Sequence, residues 1–510
     1  MDYFPWWTDA QKKLADDAKK YVDEVLIPIG ERANWKKEFP WEGIKLMAQK
    51  GWFGALIPAK YGGHFEEWGV TGATIILEEV ARADSMVISL ACTMYGGVHQ
   101  ILHEGTEEQK QRWLPKIASG EEMGSITMTE PYTGSDAAAI EATAVRDGDY
   151  YIVNGKKRFQ NGSSVASRYM AYFRTSNKPE DRAKYRHLTA LIVEKGTAGF
   201  TVERVNEMMA MEGMYNCYLN FDNVRVPVAN RLGEESDGWR ILTSGLNAER
   251  VLNAAPPLGL MRESLRYAMQ HLERRIQFGA TTGDIVSNQM KVADMIWKLQ
   301  IGRLATYYAA YLADMGKEIP VEAAAAKMFT SDRGFETAVD AIQLMGGNGA
   351  TRFYPAERIM RTLKVRQIAA GTSEILKILL YRMGTRALAR DIKAPLRVMD
   401  KELNVPVTAG KPLPKKKGEN EEDILAVLAE NYRVNPGLHM TPADIKEQLD
   451  VSDEGLNKHL LSLEKQGLAG LYRDKRGIAL ARATYPGLAK AHPAEYYRYI
   501  PSWASPEDIF

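Results

Sequence analysis

The 510 residues exceed what one hydrophobic core usually organises, so about two to four structural units are expected. At 45% hydrophobic and 26% charged, with a net charge of +1, the composition is globular and lacks the overall field that gathers nucleic acid or an anionic membrane. Two cysteines, Cys92 and Cys217, are too few for a disulfide framework or a zinc cluster, which suits a reducing compartment. The start, MDYFPWWTDAQKK, has no basic segment leading into an apolar one, and no apolar run is long enough to span a bilayer. The expectation is a cytoplasmic protein without membrane insertion.

Residues 1–123 follow a helical pattern. Thr8-Asp9-Ala10-Gln11 offers a capping box, and Leu14, Ala18, Tyr21, Val22 and Leu26 then recur at helical spacing. A further helix is predicted over 70–83. From 124 to 228 the period shifts toward two. TAVRDGDYYIVNGKKRFQNG reads as a hairpin whose turns carry Asp-Gly and Asn-Gly, and ALIVEK, GFTVERV and YLNFDNVRVPV read as further strands. Helical periodicity returns over 229–392, with long segments at 243–278, 285–315 and 320–346. Blocks of helix, strand and helix imply an α+β architecture rather than a βαβ sheet.

Residues 393–420, with KPLPKKKGEN, read as a linker. Beyond it, 421–510 offers three helices, at 421–431, 441–449 and 452–466, and then a two-stranded hairpin, an order that suggests a winged helix-turn-helix module and tail. That stretch is more acidic than basic, and its third helix mixes Asp453, Glu454 and Glu464 with Lys458 and Lys465. DNA readers need a basic footprint, so a protein-docking or structural role is expected and nucleic acid is not.

One motif organises the rest. In QIAAGTSEILKIL, at 367–379, Thr372 can cap a helix whose free amides face back toward Ala370 and Gly371, a start suited to a polar ligand. By itself this is only a capped helix. Upstream, MTEPYTGSD (128–136), VNGKKRFQNG (153–162), FDNVRVP (221–227), RIQFG (275–279) and QLMGGNG (343–349) precede AGTSEI (370–375). Six such motifs in this order resemble the acyl-CoA dehydrogenase family over 1–392. The resemblance implies a helical N-domain, a β-barrel middle domain and a C-terminal four-helix bundle, with FAD as cofactor and usually a homotetramer or dimer.

It also implies roles. Met128, Thr129, Phe159 and Gln160 would face the flavin, though which of Arg158, Phe159 and Gln160 covers the ring is open. Gly134 and Ser135 suit a phosphate-bearing ligand, with Ser135 shared with substrate. Arg275, Gln277 and Phe278 would reach a neighbouring subunit's cofactor. Gln343, Gly346, Gly347, Thr372 and Glu374 complete the FAD contacts, and Met94, Tyr95, Arg250 and Gly371 would meet the acyl-CoA. Each motif also has an ordinary reading as a turn or a helix end.

Many relatives carry a glutamate just before the Gly-Thr of the organising motif, where it removes the substrate's α-proton. Here that residue is Ala370, which cannot accept a proton. Relatives of the isovaleryl-CoA type place the base on an earlier helix, and LNAERVLNAAPPLGLM (246–261) resembles that segment, which makes Glu249 the candidate base. The Ala370 backbone amide would then hydrogen-bond the thioester carbonyl as charge develops on it, while hydride leaves the β-carbon for the flavin. Against this, Glu249-Arg250 can be read as a solvated ion pair. The helix SLACTMYGGV (89–98) carries no charge, which favours a short branched or cyclic acyl group over a dicarboxylic one. The expected activity is acyl-CoA dehydrogenation with an electron-transfer flavoprotein as partner. The alternatives are enoyl-CoA reduction at the same site and a flavin-containing DNA-associated protein.

Overall fold

The computed structural model describes residues 3–84, 86–387, 416–418, 420–475 and 477–497. The chain divides into two compact units, Met1–Ala387 and Leu388–Phe510.

The first unit opens with seven helices: α1 (Asp9–Tyr21), α2 (Ile27–Lys36), α3 (Trp41–Gln49), α4 (Phe65–Val80), α5 (Met86–Tyr95), α6 (Val98–Glu104) and α7 (Glu107–Ala118). The capping box forms as expected, with Gln11 N donating to Thr8 Oγ1 at 3.2 Å and Thr8 N donating to Gln11 Oε1 at 3.0 Å. Gly69, at φ 61°, breaks α4 one residue before the predicted start at Val70. Asp314 then caps the new start by accepting Val70 N at 2.5 Å and Thr71 N at 3.1 Å.

Eight strands follow: β1 (Gly124–Thr127), β2 (Thr143–Asp147), β3 (Tyr150–Gln160), β4 (Arg168–Arg174), β5 (Leu188–Glu194), β6 (Phe200–Val205), β7 (Cys217–Pro227) and β8 (Arg231–Leu232), with a short helix α8 (Pro179–Ala183) between β4 and β5. They form one sheet in the order β6-β7-β3-β2-β4-β5-β8, with β1 parallel to β4. The expected barrel is not closed. β6 and β8 end the path without pairing to each other, and β2 meets β4 through a single residue pair, Thr143 with Arg174, so the ladder nearly parts where a closed barrel needs continuity. Asp147-Gly148 makes the predicted turn, but Asn154-Gly155 lies inside β3, where the register shifts at Gly155. Only Asn161-Gly162 follows a strand end.

β4 and β5 are buried on both faces, which explains their unbroken apolar runs. Met170, Tyr172, Ala190 and Ile192 pack with Val98, Ile101 and Trp113 of α6 and α7, while Tyr169, Ala171, Phe173 and Leu191 pack with Val153, Leu219 and Phe221 of β3 and β7. These two strands are the wall between helices and sheet.

The rest of the unit is helical: α9 (Gly238–Leu272), a hairpin of β9 (Ile276–Gln277) and β10 (Ala280–Thr281), α10 (Val286–Asp314), α11 (Pro320–Met345), α12 (Ala356–Arg366) and α13 (Ser373–Ala387). α9 is the central element and packs on α4, α10 and α11. Gly259 lets α9 approach α4 so closely that a Cβ there would lie 2.0 Å from the Glu78 carbonyl oxygen. Across that contact runs a buried ionic network. Glu78 accepts from Arg262 at 3.1 Å, from Tyr307 at 2.7 Å and from Arg303, while Arg82 donates to Glu79 and Glu263 at 2.9 Å each.

The second unit is described by itself. β11 (Lys416–Lys417) pairs with β12 (Leu449–Asp450). Helices α14 (Glu421–Val434), α15 (Pro442–Gln448) and α16 (Asp453–Lys465) lead to the antiparallel β13 (Ala469–Asp474) and β14 (Gly477–Ala483), then α17 (Tyr485–Ala491). Asn420, Thr441, Ser452 and Thr484 cap the four helices, and Leu425, Leu428, Ile445, Leu456, Leu460 and Leu463 form the core. Most of the expected linker, 393–415, and the tail 498–510 lie outside the described residues.

Candidate active site

The organising motif forms a loop between α12 and α13. Ala370 and Gly371 both adopt left-handed backbone, at φ 55° and 86°, a conformation that costs a residue with a Cβ about 1 kcal/mol. Thr372 caps α13 as expected, its Oγ1 accepting Ile375 N at 3.2 Å. Ser373 N donates to Gln367 O at 3.0 Å and closes the loop's neck. α11 grips the loop from one side. Lys327 Nζ donates to Gly371 O at 2.7 Å, and Asp332 Oδ1 accepts Gln367 Nε2 at 2.9 Å and Ser373 Oγ at 2.6 Å.

Glu249 faces this region from α9. It is only 8% exposed, so the solvated ion-pair reading of Glu249-Arg250 does not hold. None of the hydrogen bonds among the described residues holds its carboxylate. Burial pushes its pKa up to about 7, against the opposing pull of Arg250 and Lys327. The surrounding cations are themselves poorly matched. Arg250 Nη1 donates to Asn247 Oδ1 at 3.1 Å, and Arg366 Nη1 to Asn253 Oδ1 at 3.3 Å, both neutral amides. Burial and the nearby Arg366 push Lys327 down to about 8. Asn253 Nδ2 donates to the Glu249 carbonyl at 2.9 Å, so Glu249 and Asn253 share one face of α9, and Arg366 of α12 meets that face at Asn253. Pro256 and Pro257, one turn further on, have no N–H for the carbonyls of Leu252 and Asn253, yet α9 runs through them. Tyr172 of β4 completes the surroundings, its phenol held up by burial and by the charge of Glu249.

Lys327, Arg366, Asp332 and Tyr172 were not singled out from the sequence. The one available signal was Lys327 itself, a lone charge in the apolar run AAAAKMF of α11.

The sheet contributes a second cluster. Lys157 and Glu130 form a fully buried ion pair at 2.9 Å. Lys157 Nζ also donates to Met128 O at 3.1 Å and Tyr172 O at 2.6 Å, while Glu130 accepts Glu141 N at 2.7 Å and Ala142 N at 3.1 Å. All three ammonium protons and both carboxylate oxygens of the pair have partners, so the loop from Met128 to Asp136 is anchored from within. Thr129 O accepts Arg158 N at 2.7 Å and Gln160 Nε2 at 3.1 Å. Gln160 Nε2 also reaches Arg158 O at 2.6 Å, so its side-chain amide has two acceptors inside the protein. Phe159 is different. A register shift in β3 puts it at φ 61° and leaves it 46% exposed, with the Arg158 guanidinium 4.2 Å from its ring centre. The strained backbone thus leaves this aromatic ring outside the core, open on one side.

The other predicted residues fall in three places. Met94 is buried in α5, next to Tyr95, whose side chain lies outside the described residues. Gly134 and Ser135 lie on the exposed part of the loop, and Glu374 on the exposed first turn of α13. Gln343, Gly346 and Gly347 close α11, about 24 Å along the helix from Lys327. Arg275, Gln277 and Phe278 lie on the exposed β9–β10 hairpin, Phe278 at 98%. The last two groups are not brought to Glu249 within the helix bundle of one chain.

FAD, implied by the resemblance, fits these residues. A Cβ added at Gly134, Gly346 or Gly347 would meet no protein atom within 4 Å, so each backbone borders open space, and Gly346 has φ 57°. Open backbone at two places, Gly134 and Gly346-Gly347, and an outward aromatic suit a long ligand with phosphates and a flat ring.

Family models match the chain in succession: the acyl-CoA dehydrogenase N-terminal domain over 8–121, the middle domain over 125–224 and the C-terminal domain over 236–384. An acyl-CoA dehydrogenase of Bacillus subtilis (strain 168) is 34% identical over 376 residues, 74% of this chain and 98% of that protein. A mitochondrial isovaleryl-CoA dehydrogenase of Arabidopsis thaliana is 34% identical over 380 residues, 73% of this chain and 91% of its own length. The butyryl-CoA dehydrogenase structure from Megasphaera elsdenii superposes with a TM-score of 0.72 at 31% identity, covering 76% of this chain and 100% of that one. None of the three models reaches the second unit. The chain belongs to the acyl-CoA dehydrogenase family, FAD-dependent oxidoreductases that act on CH–CH bonds.

Proposed function

We propose that the protein removes hydrogen across the α and β carbons of a short branched or cyclic acyl-CoA, giving the 2-enoyl-CoA, with Glu249 as the base. The observation that carries this is a buried, unbonded carboxylate, its pKa raised to about 7, in a helix facing a loop whose own residue, Ala370, cannot take a proton. A base poised near neutrality holds the correct protonation state without giving up proton affinity. The Ala370 backbone amide, on its left-handed turn, would receive the thioester oxygen and stabilise the enolate-like charge. Arg250 would meet the CoA portion, and the uncharged α5 around Met94 the acyl group. FAD, when bound, supplies the two-electron acceptor. Thr129 and Phe159 would meet its ring, and Gly134, Ser135, Thr372 and Glu374 its polar chain.

An electron-transfer flavoprotein is the proposed electron partner, and a homotetramer the proposed assembly. Trp297, Ile301, Leu304 and Tyr308 leave an apolar stripe along α10, each 45–48% exposed, which a helical bundle buries against a second copy. Arg275, Gln277 and Phe278 would then serve the FAD held near Gln343, Gly346 and Gly347 of a neighbour. The proposed domains are 1–123, 124–228 and 229–392, with a linker over 393–420 and a winged-helix module in 421–510. That module would dock protein rather than DNA, because its hairpin Arg473 is paired with Glu464 at 3.0 Å. The reaction is proposed to take place in the cytoplasm.

Anaerobic titration of the holoenzyme with a panel of saturated acyl-CoAs tests the reading. Bleaching of the flavin by one member, reversed by an electron-transfer flavoprotein, is the expected result. Glu249→Gln should keep fold and FAD and lose roughly 10²–10⁴-fold in the rate of bleaching. Wild-type rates in that variant would remove Glu249 from the mechanism.

A further inference from the structure

We infer that Lys327 is a positioning residue for this reaction, acting through two groups at once: it holds the Ala370–Gly371 turn in place and turns a buried positive charge toward Glu249. The inference rests on the reading of Glu249 as the base.

The turn needs holding. Two successive left-handed residues are costly when the first carries a Cβ, and among the described residues the loop's other hydrogen bonds to α11 side chains lie at its ends, where Gln367 and Ser373 both bind Asp332. The Lys327 Nζ bond to Gly371 O, at 2.7 Å, ties the middle. It fixes the peptide that follows Gly371 and with it the direction of the preceding amides, including the Ala370 N–H offered to the thioester. A side chain 1% exposed in the alanine-rich face of α11 has no solvent to turn toward, so the tie is rigid.

The charge of Lys327 does the second task. Around its ammonium lie Arg366 of α12, Asp332 on its own helix, and Arg250 and Glu249 of α9. Around Glu249 lie Arg250 and Lys327, with the Tyr172 phenol of β4 sensing the same carboxylate. Arg250 already has Asn247, and its guanidinium charge does not titrate near neutrality. Lys327 is thus the cation near Glu249 whose charge can change in the working range, because burial and Arg366 bring it down to about 8. With both groups charged, the carboxylate is favoured and the base is ready. Once Lys327 loses its proton, its pull on Glu249 is gone and the Gly371 carbonyl keeps only a neutral donor.

The test is the pH dependence of flavin reduction in the holoenzyme, read from stopped-flow bleaching by the acyl-CoA found above. Wild type should give a bell, rising through about 7 as Glu249 ionises and falling near about 8 as Lys327 loses its proton. Lys327→Gln keeps an N–H donor within the site but no charge, so its rising limb should move up by about one unit and its falling limb vanish. Lys327→Met also frees the Gly371 carbonyl, and its plateau should fall about tenfold or more with little change in substrate affinity. An unmoved rising limb in Lys327→Gln, or an unchanged plateau in Lys327→Met, overturns the assignment. Where a variant fails to retain FAD, the wild-type profile decides: no falling limb above neutrality sinks the proposal. Retained turnover in Glu249→Gln would overturn the base alone, since the plateau of Lys327→Met still reads the grip on the loop.

Discussion

Two buried glutamates on facing helices have opposite proton affinities, and the contrast separates scaffold from chemistry. Glu78 of α4 and Glu249 of α9 are both withdrawn from water, which by itself raises a carboxyl's pKa. For Glu78 that cost is overcome: Arg303 and Arg262 face it and Tyr307 donates to it, and its pKa ends below the ordinary value. For Glu249 no donor among the described residues reaches the carboxylate, Arg250 and Lys327 act through space, and its pKa is pushed up to about 7. The first cluster consists of groups that satisfy one another, so it ties α4, α9 and α10 together and has nothing left to offer a ligand. The second is left incomplete by the protein, and an incomplete cluster in the core is where a substrate can supply the missing partner.

The largest effect should come from breaking the satisfied cluster. Glu78→Ala strands Arg303 without its carboxylate and weakens the hold on Arg262, and a stranded buried charge costs about 3–5 kcal/mol. Chemical denaturation should show that loss. The wild-type contribution of Glu78 is present above the ordinary carboxylate pKa of about 4.5 and is lost as pH falls through its lower folded value, so the penalty of the variant should shrink in acid.

Glu249→Gln should behave in the opposite sense. The folded protein holds the Glu249 proton more tightly than the unfolded chain does, so the wild type loses stability as pH rises from 4.5 through about 7. Removing the ionisable group should therefore stabilise the protein at pH well above 7, by about 3 kcal/mol at most, and change little in acid, where both forms are neutral. Thermal midpoints of the two proteins at both extremes give the comparison. A variant that is less stable than wild type at high pH would mean that the carboxylate has a partner after all.

How much of this could be read from the sequence follows from the range of each interaction. Helix starts with local caps were legible, since Thr8, Thr372, Thr441 and Ser452 find their partners three residues on. So were strands with an apolar run, as at Leu188–Glu194. Which Asn-Gly pair turns the chain and which bulges is not legible locally, because the dipeptide allows both, and for Asn154-Gly155 only the pairing with β7 decides. The barrel failed for a similar reason: closure depends on which strand ends meet, and no local pattern carries that. In the site, Glu249 was reachable through motif and chemistry. Lys327, Asp332 and Arg366 lie on helices separated in sequence from α9, and their meaning comes from a packing contact that spacing along one helix does not encode. The internal partners of Gln160, Thr129 O and Arg158 O, are equally out of reach of local patterns, since they lie across a loop and a bulge.

The smallest of the expected effects sharpens the contrast most, because it compares one residue type in both clusters. Arg303 and Arg366 are both arginines about 95% buried, yet Arg303 has Glu78, while Arg366 has the Asn253 amide and leaves Nε and Nη2 without a partner. Replacing a buried charge that has no opposite charge removes its desolvation penalty and only one neutral hydrogen bond. Arg366→Leu should be neutral or stabilising by about 1–2 kcal/mol, where Arg303→Leu should destabilise by several. The same change should move Lys327 toward its ordinary pKa, since Arg366 is the nearby charge that depresses it most. The alkaline limb of flavin reduction would then shift upward in a protein that is no less stable. A destabilised Arg366→Leu with an unmoved limb would place Arg366 with Arg303, among the groups that hold the fold, and leave the cluster at Glu249 one cation smaller.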